Sequence, residues 1–226
     1  MELIVAEKPI AGKRIAELLA GGKVAEEHEH GAIFYSFERD GEKAFVFPLK
    51  GHIKDVDFPK HFAPWLGTDL ARLANAEVIY SEKEKGIIAL LKSRAPEFER
   101  VIFATDSDRE GESIALEALQ CLQESNKNIT VKRANFSAIT AEEIKSAFSS
   151  LGELDYNLAD SADARREIDL VWGAVLTRFL SLVSGRLGSE FLSAGRVQSP
   201  TLALIVDREK EILAFKPVPY YELQAT

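Results

Sequence analysis

Two short apolar segments, each followed at once by acidic residues and a helical pattern, constrain the fold of this chain most. Residues 2–6 (ELIVA) precede the tripeptide EKP at residues 7–9, and residues 101–104 (VIFA) precede the acidic run DSDRE at residues 106–110. Such short apolar runs predict buried strands, and strands that alternate with helices predict a mainly parallel sheet. The carboxyl ends of parallel strands share one edge, where ligands bind. If the two strands are neighbours, both acidic segments meet at that edge.

The order of the predicted elements indicates an α/β domain followed by a helical region. A hairpin is predicted over residues 32–49, because Asp40-Gly41 is a strong two-residue turn signal. Further strands are predicted at residues 77–80, 100–104 and 129–133, and helices at residues 84–93 and 111–122. This alternation predicts a Rossmann-like fold, a mainly parallel sheet with helices on both faces. From residue 140 the pattern is mostly α-helical, and we place the domain boundary at residues 152–157.

Three carboxylates of the acidic run, Asp106, Asp108 and Glu110, are candidate metal ligands. Like charges repel, so carboxylates gathered this closely favour a cation among them. In an extended turn the three side chains would converge, and Mg²⁺ suits them because it takes one or two carboxylates with phosphate oxygens and water. The alternative is a solvated acidic loop, since Asp108 and Glu110 near a helix N-terminus would be stabilised by the helix dipole. Glu7 and Lys8 would add a fourth carboxylate and an ammonium.

Two local predictions concern the helical region. Six apolar residues recur at helical spacing and are predicted to face a core: Ile168, Val171, Trp172, Val175, Phe179 and Leu182. Ser199-Pro200 is typical of an N-cap followed by the first helical residue, so a helix is predicted to start there. Ser193, Arg196 and Gln198 would then lie at a helix N-terminus, which is a natural phosphate site. The alternative is a plain turn and cap.

Several blocks of the sequence, in order, resemble those of type IA DNA topoisomerases, whose N-terminal domain is a Toprim domain. They are EKP at residues 7–9, Gly51-His52, ATDSDREGE at 104–112, RANFSAIT at 133–140, ARREID at 164–169 and SAGRVQSP at 193–200. The resemblance covers essentially the whole chain and is closer to the archaeal and topoisomerase III branch. It implies a Toprim domain over residues 1–152 and a partial helical DNA-gate domain over residues 153–219. Residues 220–226 would begin the strand that leads into an arch domain.

This resemblance also implies roles for individual residues. The family cuts and religates one DNA strand through a 5′-phosphotyrosine, with Mg²⁺ as cofactor. Lys8 would contact the scissile phosphate, and Glu7 would act as general acid and base at the 3′-oxygen. The implied metal ligands are Glu7, Asp106, Asp108 and Glu110, and the implied contacts to single-stranded DNA are Arg165, Arg166, Ser193, Arg196 and Gln198. The implied partners are single-stranded and negatively supercoiled duplex DNA.

The nucleophile of the family has no counterpart among the five tyrosines, none of which lies in the family's sequence context. They are Tyr35, Tyr80, Tyr156, Tyr220 and Tyr221. We therefore expect the chain to be a piece of a longer enzyme and to be inactive alone. Two alternatives remain: another Toprim enzyme, such as a nuclease or primase, and a stand-alone module that binds Mg²⁺ and nucleic acid. The block at residues 193–200 favours the topoisomerase.

Composition and charge limit the partners and the location. The net charge of −8 argues against general electrostatic attraction to DNA, but residues 164–200 contain five arginines and no lysine, which suits fixed phosphate contacts. One of those arginines, Arg165, is also spaced to pair with Asp169. The absence of a long apolar run predicts no membrane partner, and we expect a monomeric, cytoplasmic, nucleoid-associated protein. A single cysteine, Cys121, excludes a Cys₄ zinc site and is predicted to be a buried hydrophobe.

Overall fold

The computed structural model describes residues 1–225, so that Thr226, the last residue of the strand predicted at residues 220–226, lies outside the described residues. The chain divides into two compact units. Unit 1 contains Met1–Pro59 and Glu77–Glu167, and unit 2 contains Lys60–Ala76 and Ile168–Thr226. The division therefore falls within a long helix, some ten residues after the boundary expected at residues 152–157.

The elements follow one another in an α/β order up to residue 133. The strands are β1 (Glu2–Ala6), β2 (Ala25–Glu29), β3 (Ala32–Arg39), β4 (Glu42–Pro48), β5 (Lys54–Asp57), β6 (Ile79–Glu82), β7 (Arg100–Ala104) and β8 (Thr130–Arg133). The helices are α1 (Pro9–Ala20), α2 (Leu70–Ala74), α3 (Lys85–Arg94), α4 (Arg109–Gln123), α5 (Ala141–Ser149), α6 (Tyr156–Ser184) and α7 (Gln198–Ala214). Short 3₁₀ turns lie at Lys60–Phe62, Ala95–Glu97 and Gly188–Glu190.

Within residues 1–225, unit 1 is built on a six-stranded sheet in the order β2-β3-β4-β1-β7-β8. β1 pairs in parallel with both β4 and β7, and β7 pairs in parallel with β8. The hairpin predicted at Asp40-Gly41 adds β3 antiparallel to β4, and β2 follows it at the edge. The mainly parallel sheet is confirmed, and β1 and β7 are neighbours as the argument required.

Each face of this sheet is covered by its own helices and core. On one face, α3 and α4 pack on residues such as Leu3, Phe47 and Phe103. On the other face, α1 and α5 pack on residues such as Ile4 and Ile102. Alternate residues of one strand therefore serve opposite cores, which explains why residues 3–6 of β1 and residues 101–104 of β7 are all apolar. Cys121 is buried in the first core, as predicted.

One predicted strand lies outside this sheet. The strand expected at residues 77–80 forms as β6, but it pairs antiparallel with β5 in a separate two-stranded ribbon. All four residues of β6 are exposed, so no core face selects it for the main sheet. The segment between β5 and β6 carries α2 and belongs to unit 2.

Unit 2 is mostly helical, in agreement with the sequence, but its apolar residues are less buried than predicted. Ile168, Trp172 and Phe179 on α6 are each about half exposed, and no residue of α7 is buried. The prediction of a core stripe is wrong for these residues, because no described element covers that face. Residues 216–225 form neither helix nor strand. No helix in the described part of the chain is long and apolar enough to cross a membrane.

Candidate active site at the carboxyl edge of the sheet

The neighbouring strands β1 and β7 bring Glu7, Lys8 and Asp106 together. Ala6 and Ala104 are paired in register, so the residues that follow them leave the sheet side by side. The Lys8 ammonium lies 2.9 Å from a Glu7 carboxylate oxygen and 3.1 Å from an Asp106 oxygen. The hydrogen bonds that the ammonium donates to Glu7 and then to Asp106 raise the pKa of Lys8, which keeps it a cation. One exposed ammonium therefore joins two carboxylates at this edge.

The Glu7 carboxylate is held more firmly than that of Asp106. Its second oxygen accepts a hydrogen bond from the Asp106 backbone N–H at 3.1 Å, and Glu7 is 7% exposed. Its backbone carbonyl accepts from the Gly51 N–H at 3.0 Å, so the loop after β4 also fixes it. Glu7 is thus a pre-positioned carboxylate next to an exposed ammonium.

Asp108 and Glu110 have separate partners. Asp108 is the N-cap of α4, where its carboxylate accepts a hydrogen bond from the Gly111 N–H at 2.8 Å. Glu110 already lies in the first turn of α4, and its carboxylate is 3.2 Å from His52 Nε2. The expectation that an extended turn gathers all three carboxylates is therefore wrong for Glu110. In the described residues, no three His, Cys, Asp or Glu side chains are arranged to hold a metal ion.

A buried polar network around Glu117 supports this side of the site. The Glu117 carboxylate accepts hydrogen bonds from the backbone N–H groups of Ile53 and Lys54 and lies 3.0 Å from His52 Nδ1. Burial alone would raise the pKa of Glu117, but the hydrogen bond and charge of His52 and then Arg166 lower it overall. Burial opposes the charging of His52, yet the partners Glu117 and Glu110 raise its pKa. Sequence reasoning missed Glu117, because a Glu inside a helix is normally solvated.

Arg166 belongs to the same network, although it was predicted to contact DNA. Its guanidinium donates to Glu117 at 2.5 Å and to the Lys54 carbonyl at 2.8 Å, and it stacks on the Tyr80 ring. Only 14% of its side chain is exposed. The preceding residue, Arg165, is half-buried on the same helix. Arg166 therefore fastens α6 to α4 and the β5–β6 ribbon in this conformation.

A second buried arginine, Arg133, was also missed as a site residue. It is fully buried at the end of β8 and forms a 2.6 Å ion pair with the buried Glu112 of α4. The segment at residues 133–140 was recognised only as a block of resemblance. No local sequence signal identifies its buried partner, which lies 21 positions away.

In unit 2, the residues predicted to contact DNA form a polar cluster before α7. Arg196 donates two hydrogen bonds to the Asp169 carboxylate, at 2.6 and 3.2 Å. The hydrogen bond and charge of Asp169 raise the pKa of Arg196. The Ser193 hydroxyl donates to Gln198 at 3.1 Å. The side chains of these residues are exposed, with the guanidinium already engaged by a carboxylate.

The start of α7 differs from the prediction. The helix begins at Gln198, with Val197 as an N-cap that makes no side-chain cap bond. Pro200 is the third helical residue, where its missing N–H still costs no intrahelical bond. Ser199 is inside the helix, and its hydroxyl accepts from the Gly195 N–H at 3.3 Å. Ser193 and Arg196 therefore precede the helix, and Gln198 opens it.

Comparison with known proteins identifies two matching family models. The model for the Toprim domain matches residues 2–139, and the model for DNA topoisomerase matches residues 153–226. DNA topoisomerase 1 of Thermoplasma acidophilum is 46% identical over 224 residues, which is 99% of this chain and 29% of that protein. DNA topoisomerase 1 of Archaeoglobus fulgidus is 48% identical over 223 residues, 99% of this chain and 33% of that protein.

A solved structure is similar as well. Full-length topoisomerase I from Thermotoga maritima superimposes with a TM-score of 0.62 and 32% sequence identity, covering 95% of this chain and 31% of that one. The chain therefore spans about a third of the length of the relatives that it matches.

Proposed function

Because the chain belongs to the type IA DNA topoisomerase family, we propose that its acidic edge binds the scissile phosphate while one DNA strand is cut and rejoined. The observation that carries this proposal is the Lys8 ammonium between the Glu7 and Asp106 carboxylates. A cation on an exposed side chain beside a fixed acid suits a phosphodiester whose charge changes during transfer. The complete reaction is proposed for the longer protein, since the relatives are about three times as long.

In the proposed cleavage step, a tyrosine oxygen attacks phosphorus and releases its phenol proton to solvent, and the bond from phosphorus to the 3′-oxygen breaks. The electron pair of that bond leaves with the 3′-oxygen, which takes a proton from the protonated form of Glu7. Religation reverses the step: Glu7 takes the proton back from the 3′-hydroxyl, and the leaving tyrosine oxygen regains a proton from solvent. Lys8 contacts the phosphate throughout, and Asp106 keeps the ammonium directed toward it. Phosphoryl transfer of this kind depends on positioning and charge stabilisation more than on new covalent chemistry.

Mg²⁺ fits this edge as a cofactor held by few protein ligands. Glu7 and Asp106 already flank one cation, the Lys8 ammonium, and Mg²⁺ takes one or two carboxylates with phosphate oxygens and water. Asp108 and Glu110 would join as ligands only by exchanging the Gly111 N–H and His52 for the ion. When bound, the ion would neutralise charge on the phosphate oxygens, chiefly for religation.

The DNA-binding part of the proposal concerns single-stranded DNA, as it is exposed in negatively supercoiled duplex. Ser193, Arg196 and Gln198 contact the strand in unit 2, with Arg196 exchanging Asp169 for a phosphate. Arg165 and Arg166 contact it from α6, although Arg166 must then loosen its bond to Glu117. Arginine suits these contacts because its planar fork binds phosphate oxygens in pairs.

We further propose that none of the five tyrosines in this sequence is the nucleophile. Tyr35 is buried, and Tyr80 donates a hydrogen bond to Glu167 at 2.9 Å. Tyr156 opens α6, and Tyr220 and Tyr221 follow α7. These 226 residues alone should therefore bind a single strand without cutting it.

Incubation of the chain with end-labelled single-stranded DNA and Mg²⁺ tests the proposal, followed by a denaturing gel with and without protease. We expect binding, no shortened fragment and no protein-linked DNA. Free shortened fragments would instead support a Toprim nuclease, and protein-linked DNA would place the nucleophile among the five tyrosines. Failure to bind single-stranded DNA would contradict the DNA-binding assignment itself.

A further inference from the structure

Arg133 is a fully buried charged side chain for which the proposed chemistry has no role. It lies at the end of β8, beside the point where β7 leaves the sheet. Five acceptors lie within hydrogen-bond distance of its guanidinium. Nε faces the Glu112 carboxylate, Nη2 faces the Asp106 carbonyl, and the two N–H groups of Nη1 are shared by the carbonyls of Phe103, Thr105 and Ala134. These bonds are 2.6–3.1 Å long.

The four carbonyls explain why an arginine is buried here. They lie where the strands end, and buried carbonyls require partners. The Phe103 and Asp106 carbonyls also accept from the Ala134 and Asp108 N–H groups, at 2.9 Å each, and the guanidinium supplies a donor to all four. An apolar side chain offers none, and a lysine offers three donors on one atom. The planar guanidinium offers five N–H donors in a fixed fork, and Glu112 compensates its charge.

The bond to Asp106 matters most, because it fixes the backbone of a candidate ligand. Arg133 Nη2 donates to the Asp106 carbonyl at 2.8 Å, and the Asp108 N–H donates to the same oxygen at 2.9 Å. The Asp106 N–H is bound to Glu7. A Cβ on Gly111 would lie 2.1 Å from this carbonyl, so α4 packs directly against it. Both the backbone N–H and the backbone carbonyl of Asp106 are therefore held by hydrogen bonds.

We propose that Arg133 is a positioning residue, which holds the Asp106 carbonyl so that the carboxylates of Asp106 and Glu7 face one cation. The proposal rests on the proposed function for the identity of that cation, Mg²⁺ at the phosphate. It does not rest on it for the geometry of the turn. Arg133 is fully buried and acts through the backbone of Asp106.

The variant Arg133→Lys tests this directly. Lysine keeps the charge that pairs with Glu112, but a single nitrogen cannot reach the four carbonyls, so the turn at residues 105–108 loosens. Arg94→Lys is the matched control, because Arg94 has a side chain 14% exposed, pairs with Glu97 and packs on the rings of Phe34 and Phe45. It makes no bond to the acidic run.

Two readouts are measured on the chain and both variants: hydrogen exchange of single amides by NMR, and Mg²⁺ binding by calorimetry. In Arg133→Lys we expect the Asp106 and Asp108 amides to exchange about tenfold faster, while the Ile4 amide in β1 changes no more than in the control. We expect the dissociation constant for Mg²⁺ to rise about tenfold, a typical effect of changing a group that supports a metal ligand. The control should alter neither quantity.

The outcomes separate the two proposals. Unchanged exchange at Asp106 and Asp108 in Arg133→Lys overturns the positioning role, whatever the metal does. If the unaltered chain does not bind Mg²⁺ but the amides still respond, the metal part of the proposed function fails and the role of Arg133 in the turn stands. If Arg133→Lys does not fold, the proposal is tested on the unaltered chain alone. Hydrogen exchange of the Asp106 and Asp108 amides that is as slow as that of the Ile4 amide supports the positioning role. Rapid exchange of these two amides rules it out.

Discussion

At the residue scale, the candidate site depends on a few side chains whose partners are set by burial. Glu7 is buried, and its carboxylate has two partners, the Lys8 ammonium and the Asp106 backbone N–H. The side chain of Asp106 is half exposed, and among the described residues its partner is Lys8 alone. The two carboxylates thus differ in freedom, although both flank the same ammonium. Glu7 is therefore the fixed carboxylate of the pair, and Asp106 is the more exposed one.

The variant Asp106→Asn should separate metal binding from folding. Loss of this charge should weaken Mg²⁺ binding by at least about tenfold, because one carboxylate ligand becomes a neutral amide. The free energy of unfolding should change by no more than about 1 kcal/mol, since exposed ion pairs contribute little. Calorimetry and urea unfolding measure the two effects. Asp55→Asn, which removes the exposed partner of Lys83, serves as control and should leave Mg²⁺ affinity unaltered.

Cys121 should be unreactive while the chain is folded. Burial raises the pKa of its thiol, so little thiolate forms near neutral pH, and the side chain is also inaccessible. We expect a thiol reagent such as DTNB at pH 8 to react at least about a hundredfold more slowly with the folded chain than in denaturant. Equal rates in the two conditions would show that this part of the core opens readily.

At the scale of elements, α4 organises the site with its first turn and its polar face. Asp108 caps the helix and Glu110 follows it, while the buried residues Glu112, Ser113 and Glu117 bind other parts of unit 1. Ser113 donates to Asp163 on α6 at 2.6 Å. Because α4 has one apolar face and one buried polar face, it can pack against the core and also hold the side chains of the candidate site in place.

Gly111→Ala should disturb the start of α4. The new Cβ would lie 2.1 Å from the Asp106 carbonyl, so the helix or the acidic turn has to move. We expect a loss of about 1–3 kcal/mol of stability, the usual cost of overpacking, together with weaker Mg²⁺ binding. Gly173→Ala on α6 is the control, because its Cβ would meet only the Ala194 carbonyl at 3.8 Å. Urea unfolding of both variants checks the prediction, and equal stabilities would contradict it.

At the scale of the whole molecule, two layers of helices bury the sheet of unit 1, whereas the helices of unit 2 leave large apolar side chains exposed. Unit 1 therefore has a hydrophobic core that its own strands and helices bury. The stability of the chain should reflect unit 1, and so should its dependence on pH.

Stability should fall at alkaline pH. Burial raises the pKa of Cys121, of Tyr35 and of Tyr80, the last also through its hydrogen bond to Glu167. Each group is neutral in both states below its ordinary pKa of about 8.5 for Cys and 10 for Tyr. Above it, the unfolded chain releases protons that the folded chain retains, so the free energy of unfolding decreases as pH rises. Urea unfolding at pH 7.5, 9 and 10.5 should show a steady loss.

Tyr80→Phe supplies the control for this prediction. The variant removes one of the titrating groups, so its stability should decline less steeply between pH 9 and 10.5 than that of the unaltered chain. Stability that stays constant or rises over this range would contradict the raised pKa values of these groups.

Much of the fold could be predicted because its signals are local. The strand at residues 2–6 is apolar from Leu3 onward, the helix after it starts at Pro9, and Gly21 ends that helix in a left-handed conformation. The ribbon of β5 and β6 could not be predicted, since the pairing of a strand depends on residues far away in the chain. The exposed stripe of α6 was mistaken for core because periodicity shows only that a face is apolar, and not whether anything covers it.

The sequence alone determined which chemistry is present: carboxylates and a lysine directly after two apolar strands, in blocks that resemble one family. Only the tertiary structure decided which of these groups meet. It joined Glu7, Lys8 and Asp106, gave Asp108 and Glu110 to other partners, and buried Arg133 and Glu117 beneath them. The physical reason is that a charged residue can be buried only where distant partners compensate it, and such partners are brought together by the packing of the sheet and helices.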